Sequence, residues 1–337
     1  MKEALLYENL EDAKVRCFLC SHRCVIQEGH LGVCNVRENR GGTLYTLVYG
    51  KTISQHVDPV EKKPLYHFYP GSTAYSIATP GCNFRCQWCQ NWEIAQLPRE
   101  QHMIPGYIAA PEAIIRDVIS NDCKSIAYTY TEPTIFFEYT LDIARLASAE
   151  GIANIYVTNG YMTSEMLEMI SPFLDAANVD LKAFQEKTYK RYAGSKLQPV
   201  LDNLILMKKL GIWVEITTLV VPGINDDLME LRQIAQFIHQ ELGSEIPWHL
   251  SRFYPHYKLA NVPPTPVATL IAAKEIGYDV GLKHIYLGNV GGESNTYCHQ
   301  CRELLIRRQG YWVEVLNLQD GTCTNCGSPI AGIWEQE

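Results

Sequence analysis

Cys82-Asn83-Phe84-Arg85-Cys86-Gln87-Trp88-Cys89 sets three thiols at spacings of four and three residues, directly after the apolar run Tyr75-Ser76-Ile77-Ala78-Thr79 and the turn pair Pro80-Gly81. A tight loop at the end of a strand can fold three thiolates onto one small object. Iron of a 4Fe–4S cubane takes thiolate ligands, and three Cys leave one iron without a protein ligand. An open iron is a place for a substrate or cofactor to bind, whereas a fully ligated cluster mainly stores electrons. Three separate buried thiols packing as small hydrophobes, or a zinc site short of one ligand, are the plainer alternatives. The short spacings, similar to those of ferredoxin-type clusters, favour iron and sulfur.

The remaining cysteines also fall in sets. Twelve Cys in a chain with no secretory-type N-terminus point to metal rather than disulfides, because a reducing compartment keeps thiols free. Cys17, Cys20, Cys24 and Cys34 form a compact knuckle whose loop turns back at Gly29-His30-Leu31-Gly32. Zinc is the default for four thiolates, being tetrahedral and structural, and a second iron–sulfur cluster is the competitor. His22 and His30 are either substitute ligands or solvated loop residues. Cys298, Cys301, Cys323 and Cys326 form two Cys-x2-Cys pairs around strand-like stretches, the pattern of a zinc ribbon, although the insert slightly exceeds the usual length of about 15–20 residues. Zinc is favoured there over rubredoxin-like iron. Arg302, Arg307 and Arg308 raise nucleic acid as a partner, but ribbons commonly serve as structural or docking modules. Cys123 stands alone and reads as a buried structural thiol.

These groups need elements to hold them. The chain of 337 residues is 47% hydrophobic and 20% charged, enough for one large domain or two medium ones. A net charge of −8 argues against a non-specific nucleic-acid binder. No apolar run reaches bilayer-spanning length, and the acidic N-terminus is too polar for a secretory signal, so a soluble cytoplasmic protein is expected. Residues 1–16 are predicted as a short amphipathic helix bearing Leu5, Leu6 and Leu10 on one face. Residues 41–73 are predicted as a small antiparallel appendage, in which Lys62, Lys63 and His67 either contact an acidic group of a substrate or form a solvated face. From residue 74, short apolar strands (74–79, 125–130, 153–158, 176–181, 212–220, 246–251, 283–288) alternate with helical segments (111–121, 135–150, 163–174, 186–193, 200–210, 226–242, 265–277). That alternation predicts an α/β fold, a partial (β/α)6-type TIM barrel with a parallel sheet. The expected organisation is an N-terminal Cys-rich appendage (1–73), a barrel (74–291) and a zinc-ribbon-like tail (292–337).

In such barrels the active site lies at the C-terminal ends of the strands. Those ends carry the Cys82 loop, then Tyr128-Thr-Tyr-Thr131-Glu132-Pro133, Asn159-Gly160, Asp180-Leu181-Lys182, Val221-Pro222-Gly223-Ile224-Asn225 and Trp248-His249-Leu250-Ser251. Each alone is ordinary cap or turn chemistry. Together they predict a ligand cradle.

Cys82-x3-Cys86-x2-Cys89, with Trp88 before the last Cys, resembles the signature of radical S-adenosylmethionine (SAM) enzymes. In that family three Cys hold a 4Fe–4S cluster, and SAM chelates the fourth iron through its amino and carboxylate groups. The resemblance extends over nearly the whole chain. It is of the pyruvate formate-lyase activating type and is most similar to the radical SAM enzymes of the AmmeMemoRadiSam system. It implies that Cys82, Cys86, Cys89 and Lys182 carry catalysis. It also implies that Trp88, Thr131, Glu132, Asn159, Asp180, Lys182 and His249 contact SAM: Lys182 meets its carboxylate, Trp88 its adenine, and His249 its ribose or carboxylate. Tyr130-Thr131 stands where the family's Gly-Gly-Glu-Pro motif has Gly-Gly. The implied partners are an electron donor such as a ferredoxin or flavodoxin, and proteins of the AMMECR and MEMO families. The rival readings are a glycyl-radical enzyme activase, and a non-catalytic iron–sulfur or zinc-binding module.

Overall fold

Near-continuous apolar runs of four to eight residues suit strands buried on both faces, and helices between them suit parallel pairing. In the computed structural model, which describes residues 1–334, eight strands form one sheet: β1 (Ser54–Pro59), β2 (Thr73–Ala78), β3 (Ser125–Tyr128), β4 (Ala153–Thr158), β5 (Ala176–Asp180), β6 (Trp213–Val220), β7 (Trp248–Arg252) and β8 (Ile285–Gly288). Each pairs with its neighbours in sequence. β1 lies antiparallel on β2, and β2 through β8 are parallel. Among the described residues no ladder joins β8 to β1, so the barrel is open. The last three residues of the tail expected at 292–337 lie outside the described residues.

The helices are α1 (Pro111–Ser120), α2 (Phe137–Ala149), α3 (Ser164–Ile170), α4 (Gln198–Lys209), α5 (Leu228–Phe237) and α6 (Val267–Val280). They start where the sequence supplies caps. Pro111 opens α1, the Thr163 hydroxyl accepts from Met166 N at the start of α3, and the Asp227 carboxylate accepts from Met229 N and Glu230 N at the start of α5. Their apolar faces, such as Ile114, Ile115 and Val118 of α1, bury against the sheet.

The first sixteen residues are not a helix. Tyr7–Asn9 pairs antiparallel with Val15–Cys17, and Lys2–Glu3 pairs with Thr43–Thr46. Asp12 and Ala13, at φ +57° and +54°, form the turn. Two successive positive φ values match the tight hairpin turn whose twist fits paired strands. A helix this short is marginal in water, whereas the hairpin also carries Cys17 into the thiol knuckle. The buried ion pair of Arg37 and Glu138, at 2.6 Å, ties this region to α2.

The open side of the barrel is filled from both ends of the chain. Residues after β1 run inside, where Tyr66 N and His67 N donate to Glu215 at 3.0 and 2.7 Å. The tail then packs on them. Its hairpin, β9 (Leu304–Gln309) and β10 (Trp312–Val315), carries the fully buried Arg308, whose Nη2 donates to Tyr66 O at 2.6 Å and whose guanidinium stacks on the Tyr66 ring. Ile333 N donates to His67 O. Arg308 is therefore part of the packing and offers no charge to a nucleic acid.

Candidate functional site

At the C-terminal ends of the parallel strands lies a cavity of about 440 Å³, lined by Cys82, Cys86, Trp88, Cys89, Asn91, Tyr130, Thr131, Glu132, Asn159, Asp180 and Lys182, with Lys62, Lys63, Ser251 and Tyr311 also on its wall. Its size falls within the range of about 300–1,000 Å³ typical of small-molecule sites.

The thiol loop is held by backbone. Arg85 N and Gln87 N donate to Ala193 O and Tyr192 O of the π-helical turn Tyr189–Ala193. Gly194 ends that turn at φ +72°, and a Cβ there would run into the Arg85 side chain. Arg99 reaches across to Phe84 O, Cys82 O and Val33 O, joining the loop to the N-terminal knuckle. Phe84 N points at Cys82 Sγ at 3.3 Å. Burial pushes all three thiols up, Cys89 to about 12. Thiols so placed lose their protons to a bound metal, so the donor set suits a metal centre.

Glu132 is 2% exposed and collects four donors: Thr134 N (3.0 Å), Thr134 Oγ1 (2.6 Å) and Thr158 Oγ1 (2.7 Å) on Oε1, and Asn159 N (2.8 Å) on Oε2. Burial pushes its carboxyl up against these donors. Its oxygens thus clamp the ends of β3 and β4 together. Asn159 passes the constraint on, donating from Nδ2 to Asn83 Oδ1 at 2.8 Å beside Cys82. Gly160, at φ +69° and packed on Val179, permits the sharp turn that follows.

Lys182 Nζ pairs with Asp180 Oδ2 at 2.9 Å. Burial alone would push the lysine down, but Asp180 outweighs it and holds the ammonium well above its ordinary value. The cavity therefore offers a fixed cation beside an anion. Tyr130 sits at φ +61°, a region a glycine enters freely and a tyrosine does not. Its hydroxyl bonds Asp58, and Lys63 Nζ lies 4.6 Å from its ring centroid. Asp58 also accepts from Lys62 at 2.7 Å, Lys63 at 2.6 Å and Ser76 at 2.8 Å. Burial would raise its carboxyl, yet these donors hold it far below the usual range. Lys62 and Lys63 thus line the cavity already paired, and the sequence carried no sign of Asp58 as their anchor.

Two expected contacts lie elsewhere. His249 is buried in the barrel interior, on the same face of β7 as Ser251 but two residues further from the strand end, with Nε2 at 2.6 Å from Glu215 Oε2. It is absent from the cavity wall. His67 is fully buried, bonded to Ala331 O and Tyr286 OH, so it contacts no substrate. Trp88 is 3% exposed, with part of its surface on the cavity, and packs near Tyr192.

The C-terminal thiols lie at zinc spacing: Cys298 Sγ–Cys326 Sγ is 3.6 Å and Cys301 Sγ–Cys323 Sγ is 3.7 Å. A tetrahedron with Zn–S of about 2.3 Å has edges of about 3.8 Å. All four sulfurs fall within 4.8 Å of one another. Among the described residues, no three of Cys17, Cys20, Cys24 and Cys34 come together so closely, nor do Cys82, Cys86 and Cys89.

An open α/β barrel with three buried or half-buried thiols and a charged cradle at its strand ends defines a metal-dependent, small-molecule-binding enzyme class. The model of the radical SAM superfamily matches residues 76–237. An uncharacterized protein of Methanocaldococcus jannaschii is 46% identical over 98% of this chain and 99% of its own length. The pyruvate formate-lyase-activating enzyme of Clostridium pasteurianum is 23% identical over 50% of this chain and 72% of its own. A radical SAM methyltransferase from Sphaerobacter thermophilus shares the fold, with a TM-score of 0.52 at 15% identity, covering 65% of this chain and 67% of that one. The chain belongs to the radical SAM superfamily and is similar to its pyruvate formate-lyase activating members. That family implies a 4Fe–4S cluster, SAM and a reductant. No helix among the described residues is long and apolar enough to cross a membrane.

Proposed function

We propose that the chain uses Cys82, Cys86 and Cys89 to hold a 4Fe–4S cluster and the adjoining cavity to hold SAM, as a radical SAM enzyme of the AmmeMemoRadiSam type. The observation that carries this is the convergence of three thiols, Cys86 buried and Cys82 and Cys89 half-buried, with Glu132, Asn159, Asp180 and Lys182 on one cavity. A cluster held there by Cys82, Cys86 and Cys89 would supply the electron that splits SAM into methionine and a 5′-deoxyadenosyl radical, which would take a hydrogen atom from the substrate. Lys182 meets the carboxylate of SAM and Asp180 or a strand-end carbonyl its amino group. Glu132 acts through Thr158 and Asn159, fixing the strand ends on which the ligand rests. An electron carrier has no use for such a cradle, which disfavours the non-catalytic reading.

The N-terminal set is read as a second iron–sulfur cluster. Its sulfurs stand wider apart than those of the C-terminal set, as do Cys82, Cys86 and Cys89. Arg37 Nε and Nη1 are buried without partners, and the guanidinium's field reaches Cys17, Cys20 and Cys34. Unpaired N–H groups of a buried cation suit the sulfurs of an anionic cluster. Arg99 ties this knuckle to the Cys82 loop, so electrons from a ferredoxin or flavodoxin would enter here. AMMECR- and MEMO-family proteins are the proposed partners.

Anaerobically reconstituted protein with dithionite is expected to cleave SAM to 5′-deoxyadenosine, and Cys86→Ala to abolish this. Cleavage that survives the substitution would remove the cluster assignment. Cys20→Ala/Cys24→Ala is expected to lower iron from about eight to about four per chain; a loss of zinc in its place makes the knuckle a zinc site. Deuterium carried into 5′-deoxyadenosine from candidate small molecules, and its absence with glycyl-loop peptides, separates this reading from a glycyl-radical activase.

A further inference from the structure

The ribbon meets the floor of the barrel at three side chains whose polar atoms have no partner. Glu245 lies in the turn before β7, His284 just before β8, and His299 between Cys298 and Cys301. Glu245 Oε2, His284 Nε2 and His299 Nδ1 are each buried and unbonded. One ligand atom from each residue lies within 4.8 Å of the others, and Glu245 Oε2 stands 3.9 Å from His284 Nε2. His284 is 3% exposed. Buried polar atoms are almost always paired, so three converging orphans call for an occupant.

We propose that Glu245, His284 and His299 bind a divalent transition-metal ion, best matched by zinc, at a site separate from the four thiolates, and that this ion staples the ribbon to the barrel. Two imidazoles and a carboxylate are a familiar zinc set that leaves a fourth position for water. Outer groups orient the ligands. Lys283 Nζ bonds the other carboxylate oxygen of Glu245. Ser328 Oγ lies 3.3 Å from His299 Nε2, where it accepts that N–H once the metal takes Nδ1. Lys283 Nζ is also 3.3 Å from Nε2, a contact the ammonium must give up when Nε2 carries the proton, and its charge opposes a dication. The site therefore binds more weakly than the four-thiolate set and empties first under a chelator. It sits at the N-terminal ends of the strands, the face concerned with stability, opposite the SAM cavity. The rival occupant is one water with three partners.

The test uses the full chain with its clusters, dialysed against zinc chloride and then buffer, with metals counted by mass spectrometry. Glu245→Gln and His284→Asn are each expected to hold one zinc fewer than the parent, with SAM cleavage unchanged. Limited proteolysis should cut between the barrel and the ribbon faster in both variants and in parent treated with a mild chelator. Cobalt(II) added to the parent should fill a nitrogen–oxygen site, seen as weak visible bands separate from thiolate charge transfer, and that signal should vanish in Glu245→Gln. The half-exposed Glu245 makes its variant the safer one to fold. If it holds as much zinc as the parent and cobalt shows only the thiolate signal, the three atoms bind water and the proposal falls.

Discussion

Glu132→Gln is the sharpest test of how the strand ends are organised. The carboxylate serves four donors, three on Oε1 and one on Oε2. A glutamine keeps one acceptor oxygen. If it faces the three donors, the NH2 group meets Asn159 N–H donor to donor, and that amide is left buried and unpaired, which costs about 1–3 kcal/mol. The three surviving bonds then run to a neutral acceptor, each weaker by roughly 1 kcal/mol. Relief of the buried charge offsets part of this. The net loss is about 3 kcal/mol, or a melting temperature lower by roughly 4 °C for a chain of this size. Asn159 also anchors Asn83 beside Cys82, so cluster retention should fall, and SAM affinity should drop about tenfold, worth about 1.4 kcal/mol. Calorimetry, iron content and equilibrium binding of SAM read these three effects. Unchanged melting with weakened SAM binding would show that the carboxylate faces the ligand and not the strands. Unchanged values in all three would refute the clamp.

Gly194→Ala should cost about 1–2 kcal/mol through its left-handed φ alone, and more through the clash with Arg85; a variant that melts like the parent and keeps its iron would show that the turn yields freely. Asp58→Asn leaves Lys63 buried without its anion and should cost about 3–5 kcal/mol. Because the folded carboxyl lies far below its unfolded value near 3.8, its contribution is fully present above that value and lost only as pH falls through the folded one. The cost in denaturant titrations should therefore be full near pH 5–6 and shrink toward pH 8, because burial already pulls the Lys63 ammonium down to about 8 and, without Asp58, it sheds its proton earlier still; a cost that fades toward pH 5 would contradict the pairing. Replacing Cys298, Cys301, Cys323 and Cys326 together should remove about one zinc at the closed site, and full retention of zinc would end the ribbon assignment.

Local pattern carried most of the barrel. The seven parallel strands and their helices lie where alternating apolar runs and caps placed them, because both signals act within a few residues. The N-terminal strands escaped, since Lys2–Glu3 pairs with Thr43–Thr46 and Val15–Cys17 pairs with Val25–Ile26 as well as with Tyr7–Asn9, and the spaced leucines mimic a helix. Glu132, Asn159, Asp180 and Lys182 were visible as polar groups at strand ends. That the Glu132 carboxylate turns inward to clamp β3 and β4 was not, because its donors come from Thr134, Thr158 and Asn159 and converge only when the strands do. Asp58 and Glu215 gave no motif at all, since each gathers donors from segments remote in sequence.

The sequence by itself determined the chemistry that short spacing can encode: a three-thiol loop, two further Cys sets, and a repeating strand–helix order. Those follow from covalent reach and from the periods of helix and strand, which are local properties. Only the tertiary structure decided that His249 belongs to Glu215 and that Tyr130 is held at φ +61° by Asp58 and Lys63. It alone brought the ribbon's His299 against Glu245 and His284. Such groupings depend on where distant segments meet when the core closes, and burial then sets which polar atoms must be paired.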